Sequence, residues 1–131
     1  MTDRAHVALY GLDLAKLAAY YTTIAGFEIH EADVGFTTLH VPTLELVLVR
    51  IRPEHADGLV VTDPPERRED TPIKVGFVVP SLAAAREAAP SLGGVVDPVD
   101  AEWTWGGYTR VDGHDPEGNV VQLMEPVGQP G

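Results

Sequence analysis

The fold is decided by a pattern that begins in residues 5–26, AHVALYGLDLAKLAAYYTTIAG. Residues 5–10 form a short apolar run with β character. Asp13 then stands at a helix N-cap position, and Gly26 is placed to end the helix with positive φ. Between them lies one apolar stripe at helical spacing, made of Leu14, Leu17, Ala18 and Tyr21. The stretch therefore predicts a strand followed by an amphipathic helix.

The same pattern recurs in residues 73–94. A strand-like run leads to Ser81, the candidate N-cap of a second helix, and a Gly-Gly pair closes the turn behind that helix. The first unit runs 20 residues from His6 to its closing glycine, and the second runs 20 residues from Lys74 to its own. Two unrelated units would rarely match this well by chance, so the sequence predicts an internal repeat.

Each helix is followed by segments with strand character. They cover residues 27–31, 36–41 and 44–50 in the first half, and 95–105, 108–111 and 120–125 in the second. Each half therefore has the order βαβββ. We predict an α+β fold in which paired βαβββ modules form an open, curled mixed sheet with the helices on its outer face. The single domain, residues 1–131, divides into module one (1–52), a connector (53–72) and module two (73–131).

Composition narrows the class of protein. The chain has 131 residues, the size of one domain, and its 44% hydrophobic content is enough for a buried core. The absence of cysteine excludes a disulfide framework and a thiolate metal site. The net charge of −11 argues against nucleic acid and membrane as partners, because both carry phosphate charges of the same sign. With no signal segment and no bilayer-length apolar run, we expect a cytoplasmic protein.

Strand alternation separates the core residues of each predicted strand from its polar ones. The apolar residues of the first strand should face the helix, which leaves His6 on the opposite face. The same counting places Glu45, Lys74 and Gln122 on the non-helix face of three other strands. If the sheet curls so that this face is concave, the four polar side chains converge on one cavity.

Aromatic side chains also belong to this face. Trp103 and Trp105 have the same parity and should point the same way, and planar organic ligands stack on such walls. The alternative is that the two indoles close the core or a dimer interface. The candidate catalytic residues are His6 and Glu45, and the candidate ligand-binding residues are Tyr10, His40, Lys74, Trp103, Trp105, Tyr108, Gln122 and Met124.

The chain resembles a known superfamily at three places. The most specific is residues 115–123, DPEGNVVQL, in which Asp-Pro starts a turn, Gly and Asn accept left-handed φ, and strand pairing then resumes. The opening strand and helix start, in residues 6–14, and the Trp105-Gly106 pair fit as well. On these residues the chain resembles the vicinal oxygen chelate superfamily, which includes glyoxalases, bleomycin-resistance proteins and extradiol dioxygenases.

The resemblance implies paired βαβββ modules, assembly as a homodimer and a small-molecule ligand. Its metal-dependent members hold a divalent ion through one residue per module edge. In chain order the four ligands are commonly a His, a residue that is Glu or His, a second His and a Glu. His6 and Glu45 match that pattern. Lys74 stands where the second module normally has His, and Gln122 where it normally has Glu.

This departure changes the expected chemistry. Protonated Lys has no lone pair, and one His, one carboxylate and one amide are a poor donor set for Zn²⁺, Ni²⁺ or Fe²⁺. We therefore expect no metal cofactor; the alternative is a divalent ion held by His6, Glu45 and Gln122. We also expect the Lys74 ammonium to pair with Glu45, which would replace the charge of the ion.

Three functions follow from these expectations. The leading one is a small-molecule binding protein with an incomplete metal site, of the kind that sequesters an antibiotic or other natural product. The rival is an enzyme: a metal-dependent lyase, isomerase or dioxygenase, or a metal-free catalyst with His6 or Glu45 as general base. The third, an interaction module without a ligand, is the least favoured because the polar residues are expected to converge.

Overall fold

The computed structural model describes residues 3–55 and 61–128. The elements in chain order are β1 (Ala5–Gly11), α1 (Leu14–Ala25), β2 (Glu28–Ala32), β3 (Phe36–Val41), β4 (Leu44–Arg50), β5 (Val75–Val78), α2 (Leu82–Ala88), β6 (Val95–Val96), β7 (Trp103–Trp105), β8 (Tyr108–His114) and β9 (Val120–Pro126). Short 3₁₀ turns lie at Pro53–His55, Ala89–Leu92 and Val99–Ala101. Residues 56–60 of the predicted connector lie outside the described residues.

Both helices begin at the predicted caps. The Asp13 carboxylate accepts a hydrogen bond from the backbone N–H of Lys16 at 3.1 Å, and the Ser81 hydroxyl accepts one from that of Ala84 at 3.0 Å. α1 ends at Gly26, whose φ of 74° is a left-handed conformation that favours glycine. The local chemistry of these positions was therefore sufficient to place both helix starts and the end of α1.

The strands form two mixed sheets, one in each module. The first has the order β1-β4-β3-β2 and the second the order β5-β9-β8-β6, with β7 paired to β8. β1 runs parallel to β4 and β5 runs parallel to β9, and the remaining strand pairs are antiparallel. The α+β class is confirmed. In the part of the chain that the structure describes, no strand pairing joins the two sheets, and no helix has the length and apolarity to span a membrane.

One predicted strand is broken in the structure. The segment 95–105 contains the two-residue strand β6, then a 3₁₀ turn at Val99–Ala101, and only then β7. Pro98 has no N–H to donate to a sheet, so pairing stops after the Asp97 N–H has bonded to the Asp112 carbonyl. β8 in turn extends beyond its predicted end to His114, which is buried.

A single apolar core connects the two modules. The ring of Tyr21 on α1 lies edge-on to Phe77 on β5, with 5.8 Å between the ring centroids, and Phe77 lies 5.4 Å from Phe27 at the start of the first sheet. The other fully buried members come from both halves: Leu17, Tyr20, Leu39, Leu48, Ala89, Val111 and Leu123. The helices cover one face of each sheet and leave the other face open.

Candidate functional site

On the open face of the first sheet, a carboxylate lies between two histidines. The parallel register of β1 and β4 sets His6 beside Glu45, and the antiparallel register of β3 and β4 sets His40 beside the same residue. The His6 Nδ1 lies 3.0 Å from Glu45 Oε1, and the His40 Nε2 lies 2.7 Å from Glu45 Oε2. Three residues that are distant in sequence therefore form one hydrogen-bonded cluster.

The carboxylate fixes the protonation pattern of the cluster. Because an ionised carboxylate only accepts, His6 must donate from Nδ1 and His40 from Nε2. A neutral His6 then carries its lone pair on Nε2, on a side chain that is 57% exposed. The hydrogen bonds from His40 and His6 lower the pKa of Glu45. The His30 ring stacks on His40 with 4.4 Å between the centroids.

This arrangement predicts a small acid-dependent loss of stability. Since its folded-state pKa is lowered, ionised Glu45 stabilises the fold above its unfolded-state pKa of about 4.3, and the contribution disappears as the pH falls through the lower folded-state value. We expect Glu45→Gln to flatten the decline in urea-unfolding free energy below about pH 4.3 relative to the wild type. An identical decline in both proteins would contradict the assignment.

The open face of the second sheet carries a different polar group. The Lys74 Nζ lies 2.8 Å from Asp112 Oδ2, and the Arg110 Nη1 donates to Gln122 Oε1 at 3.0 Å. The expected pairing of Lys74 with Glu45 is therefore wrong, because Lys74 pairs with Asp112 on β8, the strand beyond β9 in the same sheet. The four polar residues that we expected to converge lie in two groups, one on each sheet.

Aromatic side chains surround the second group. β7 pairs with β8 so that Trp103 lies opposite Arg110 and Trp105 opposite Tyr108, which confirms that the two indoles share a face. Trp103 is 40% exposed and Trp105 is 68% exposed. The Arg110 guanidinium carbon lies 4.6 Å from the centroid of Trp105 and 5.6 Å from that of Tyr108. The two tryptophans therefore do not close the core.

Two further candidate residues lie on the open faces. Tyr10 is exposed on β1, where it pairs with Val49 of β4. Met124 on β9 lies over Gly76 on β5, and a Cβ added at that glycine would lie 3.3 Å from the Met124 methyl group. Gly76 therefore gives the methionine room to lie along the sheet.

Two cavities lie away from both polar groups. One of about 810 Å³ lies between the end of α1, the turn from β3 to β4 and the start of α2. The other, of about 440 Å³, lies between β1 and β5 and is lined by Leu9, Tyr21 and Phe77 among others. Neither is lined by members of the polar groups, which lie on the open sheet faces.

The donor set does not fit the divalent ion of the metal-dependent relatives. His6 and Glu45 are bonded to one another, and the matching positions of the second sheet hold an ammonium, Lys74, and a neutral amide, Gln122. Across residues 3–55 and 61–128, no group of three or more His, Asp or Glu side chains is placed to hold a metal ion. The chemistry of this face is therefore derived from the side chains alone.

The sequence reasoning missed three members of the site. Arg110 and Asp112 lie on β8 and alternate with the buried Val111, so the same counting that placed the other residues would have placed them on the open face. His30 lies in β2, within the predicted strand 27–31, but its contact with His40 was not anticipated. Its position depends on a register shift between β2 and β3, and no local sequence signal indicates such a shift.

The chain has two modules, each made of a strand, a helix and further strands, and each leaves a polar sheet face open. The chain also matches the profile of the glyoxalase-like domain over residues 6–124, so it belongs to the glyoxalase-like domain family. The resemblance to the vicinal oxygen chelate superfamily is confirmed. No curated protein sequence matches the chain.

Solved structures share the fold. A glyoxalase/bleomycin resistance protein/dioxygenase family enzyme from Burkholderia phytofirmans PsJN has a TM-score of 0.68 at 17% identity, covering 96% of this chain and 100% of that one. The fosfomycin resistance protein FosX from Listeria monocytogenes has a TM-score of 0.65 at 18% identity, covering 97% and 95%. An integron cassette protein from V. cholerae has a TM-score of 0.63 at 16% identity, covering 95% of each chain. At these identities the likeness shows the fold alone.

Proposed function

We propose that this chain is a cytoplasmic small-molecule binding protein of the glyoxalase/bleomycin-resistance type with an incomplete metal site. The observation that carries the proposal is the open face of the second sheet, where Trp105 is 68% exposed beside an ordered Arg110. Large aromatic side chains that are exposed and held in place are typical of binding surfaces. A ligand that covers the indole would bury apolar area that the fold itself leaves in water.

The structural neighbours include fosfomycin resistance proteins, which agrees with a small-molecule role. One of them, a point mutant of FosX, was solved with Mn(II) and 1S,2S-dihydroxypropylphosphonic acid and is 15% identical to this chain. In the present chain, Lys74 and Gln122 occupy the second half of the expected ligand set and are bonded to other side chains. The departure favours binding without a metal over metal-dependent catalysis.

The experiment has two stages. Protein purified without an affinity tag or chelator is first analysed for elements, and we expect far less than one equivalent of any transition metal; a near-stoichiometric amount would overturn the proposal. A thermal-shift screen with cationic glycopeptides, quinones and α-keto thioesters follows. A ligand at 100 times its Kd adds about 2.7 kcal/mol of apparent stability.

We expect Trp105→Ala to lose most of the shift produced by a hit, because the substitution removes the exposed stacking surface. Val34→Ala is the matched control, since it trims another exposed side chain, on the first module. A hit whose shift is the same in wild type, Trp105→Ala and the control would place the ligand elsewhere and contradict this site.

A second candidate function is metal-free acid–base catalysis. It is favoured by His6, whose Nδ1 hydrogen bond to Glu45 leaves Nε2 as an exposed base. A carboxylate that orients an imidazole in this way also stabilises the imidazolium formed on proton transfer. Turnover of a hit by the wild type but not by His6→Ala would establish this candidate over simple binding.

We also propose that the protein assembles as a homodimer through its open surfaces. Besides Trp105, which the proposed ligand would cover, several apolar side chains on or beside the sheets are more than half exposed, namely Tyr10, Ile29, Ile73 and Val78. A second copy that covers part of this area would remove it from water. Light scattering on the purified protein distinguishes the masses of monomer and dimer.

A further inference from the structure

Arg110 carries a charge that no carboxylate neutralises within the described residues. Its Nε donates to the backbone carbonyl of Trp105 at 3.1 Å and its Nη1 to Gln122 Oε1 at 3.0 Å, and both acceptors are neutral. Among residues 3–55 and 61–128 it takes part in no ion pair. The guanidinium therefore keeps its full positive charge on the open face of the second sheet.

Two other arginines of the chain form ion pairs. Arg67 pairs with Asp97 through two hydrogen bonds of 2.9 and 2.6 Å, and Arg86 reaches Glu102 at 2.6 Å. Arg4 also donates only to a backbone carbonyl, that of Val41 at 2.9 Å, but Arg110 is the arginine recorded over aromatic rings in the described residues. A guanidinium that has aromatic neighbours and only neutral acceptors is suited to a partner from outside the chain.

The Arg110 guanidinium also has hydrogen-bond donors left for such a partner. A guanidinium has five N–H donors, and the two recorded hydrogen bonds leave three of them. The guanidinium carbon lies over the rings of Trp105 and Tyr108, 4.6 and 5.6 Å from their centroids. A planar fork with free donors matches the geometry of a carboxylate or phosphonate, which can accept two parallel hydrogen bonds.

The neighbouring side chains supply further donors. Because Gln122 accepts from Arg110 through its oxygen, its amide N–H₂ is turned toward other partners. The Lys74 ammonium uses one of its three N–H bonds on Asp112, which is the only acidic group recorded within hydrogen-bonding distance of this set in the described residues. The set therefore has several unused donors, beside one buried acceptor without a recorded partner, Asp112 Oδ1.

We propose that the open face of the second sheet binds an organic anion, whose carboxylate or phosphonate is held by Arg110 and whose apolar body lies on Trp105. The inference rests on the proposed small-molecule function and names its ligand class. The net charge of −11 acts against an anion at long range, but at physiological ionic strength charges more than about 8 Å apart are largely screened. The contact with the guanidinium is shorter than that distance and is retained.

The test uses the indole N–H signals of the two tryptophans, which both lie on β7 and are the only tryptophans in the chain. ¹H–¹⁵N spectra are recorded during titrations with benzoate, phenylphosphonate, benzyl alcohol and benzylammonium, four probes that share a ring and differ in charge. We expect the two anions to shift the Trp105 signal and to bind at least about tenfold more tightly than benzyl alcohol, as a charge-assisted hydrogen bond predicts. Tighter binding of benzoate would identify a carboxylate as the preferred group, and tighter binding of phenylphosphonate would identify a phosphonate.

Variants connect this preference to the guanidinium. Arg110→Gln should bring benzoate down to the affinity of benzyl alcohol, and Arg110→Lys, which keeps the charge but loses the fork, should lie between them. Arg50→Gln removes the same charge from the exposed end of β4 in the other sheet and should change nothing. If Arg110→Gln does not fold, the graded loss in Arg110→Lys still decides the matter.

The outcomes separate the two proposals. Equal or tighter binding of benzyl alcohol or benzylammonium at Trp105 would overturn the anion inference and still support a small-molecule site. Anion binding that survives Arg110→Gln would also overturn it. If none of the four probes shifts the indole signals, the anion inference fails, and the small-molecule function then depends on the thermal-shift screen alone.

Discussion

Asp115→Ala should destabilise the protein by about 3–5 kcal/mol, because one buried carboxylate satisfies several donors at once. Asp115 is fully buried and accepts from the Tyr21 hydroxyl at 2.7 Å, from the Glu117 backbone N–H at 2.8 Å, and from the Asn119 backbone and side chain. Alanine would leave these groups buried without a partner. Urea unfolding followed by circular dichroism measures the loss.

The same turn also connects the two modules, which is why the effect should exceed that of an ordinary turn. The buried Glu117 carboxylate accepts from the backbone N–H groups of Leu12, at 2.9 and 3.0 Å, and Asp13, at 2.7 Å, at the start of α1. Asp115 holds α1 from the other side through Tyr21. Loss of Asp115 therefore weakens the contacts that hold α1 as well as the turn itself.

Graded variants keep this prediction testable if Asp115→Ala does not fold. Tyr21→Phe removes only one donor and should cost about 1 kcal/mol, and Asp115→Asn, which keeps the shape and one carbonyl oxygen, should fall between that value and the alanine variant. Burial and the adjacent Asp115 raise the pKa of Tyr21, so its hydroxyl stays a donor over the working pH range. If Asp115→Ala lowered the free energy of unfolding no more than Tyr21→Phe does, the other hydrogen bonds of Asp115 would contribute little to stability and the prediction would be wrong.

Local chemistry accounts for the parts of the fold that the sequence predicted. A side-chain oxygen at Asp13 or Ser81 and a glycine at position 26 act on their own neighbours, so their effects can be read without the tertiary structure. Strand alternation placed His6 and Glu45 on one face for the same reason, since the period of two holds along any strand. Pro98 is a local signal too, because a proline cannot donate to a sheet, although the predicted strand 95–105 did not take it into account.

The contacts within the site depend on register, which local patterns do not carry. Both Glu45 and Asp112 were possible partners for Lys74. The pairing of β8 with β9 sets Asp112 beside Gln122, and Lys74 donates to Asp112. Likewise, the cluster at Glu45 required His40 to lie opposite it, as the β3–β4 register dictates. Parity gives the face on which a side chain lies, whereas its partner follows from which strands pair and at what offset.

Phe77→Ala should also cost about 3–5 kcal/mol, and it tests whether the two modules unfold as one unit. Phe77 lies on β5 of the second module, yet two of its aromatic contacts, with Tyr21 and Phe27, belong to the first. Removal of the ring therefore opens a cavity between the modules. We propose that the chain is one cooperative domain, so the loss should appear equally in both halves.

Two probes distinguish one unit from two. Tryptophan fluorescence reports only the second module, because Trp103 and Trp105 are the only tryptophans, whereas far-UV circular dichroism reports both modules. For a single unit the two unfolding curves coincide in the wild type and move together in Phe77→Ala. Phe77→Leu keeps much of the volume and should cost less than about 1.5 kcal/mol. Separate midpoints, with only the fluorescence curve displaced, would mean that the shared core does not couple the modules and that each folds on its own.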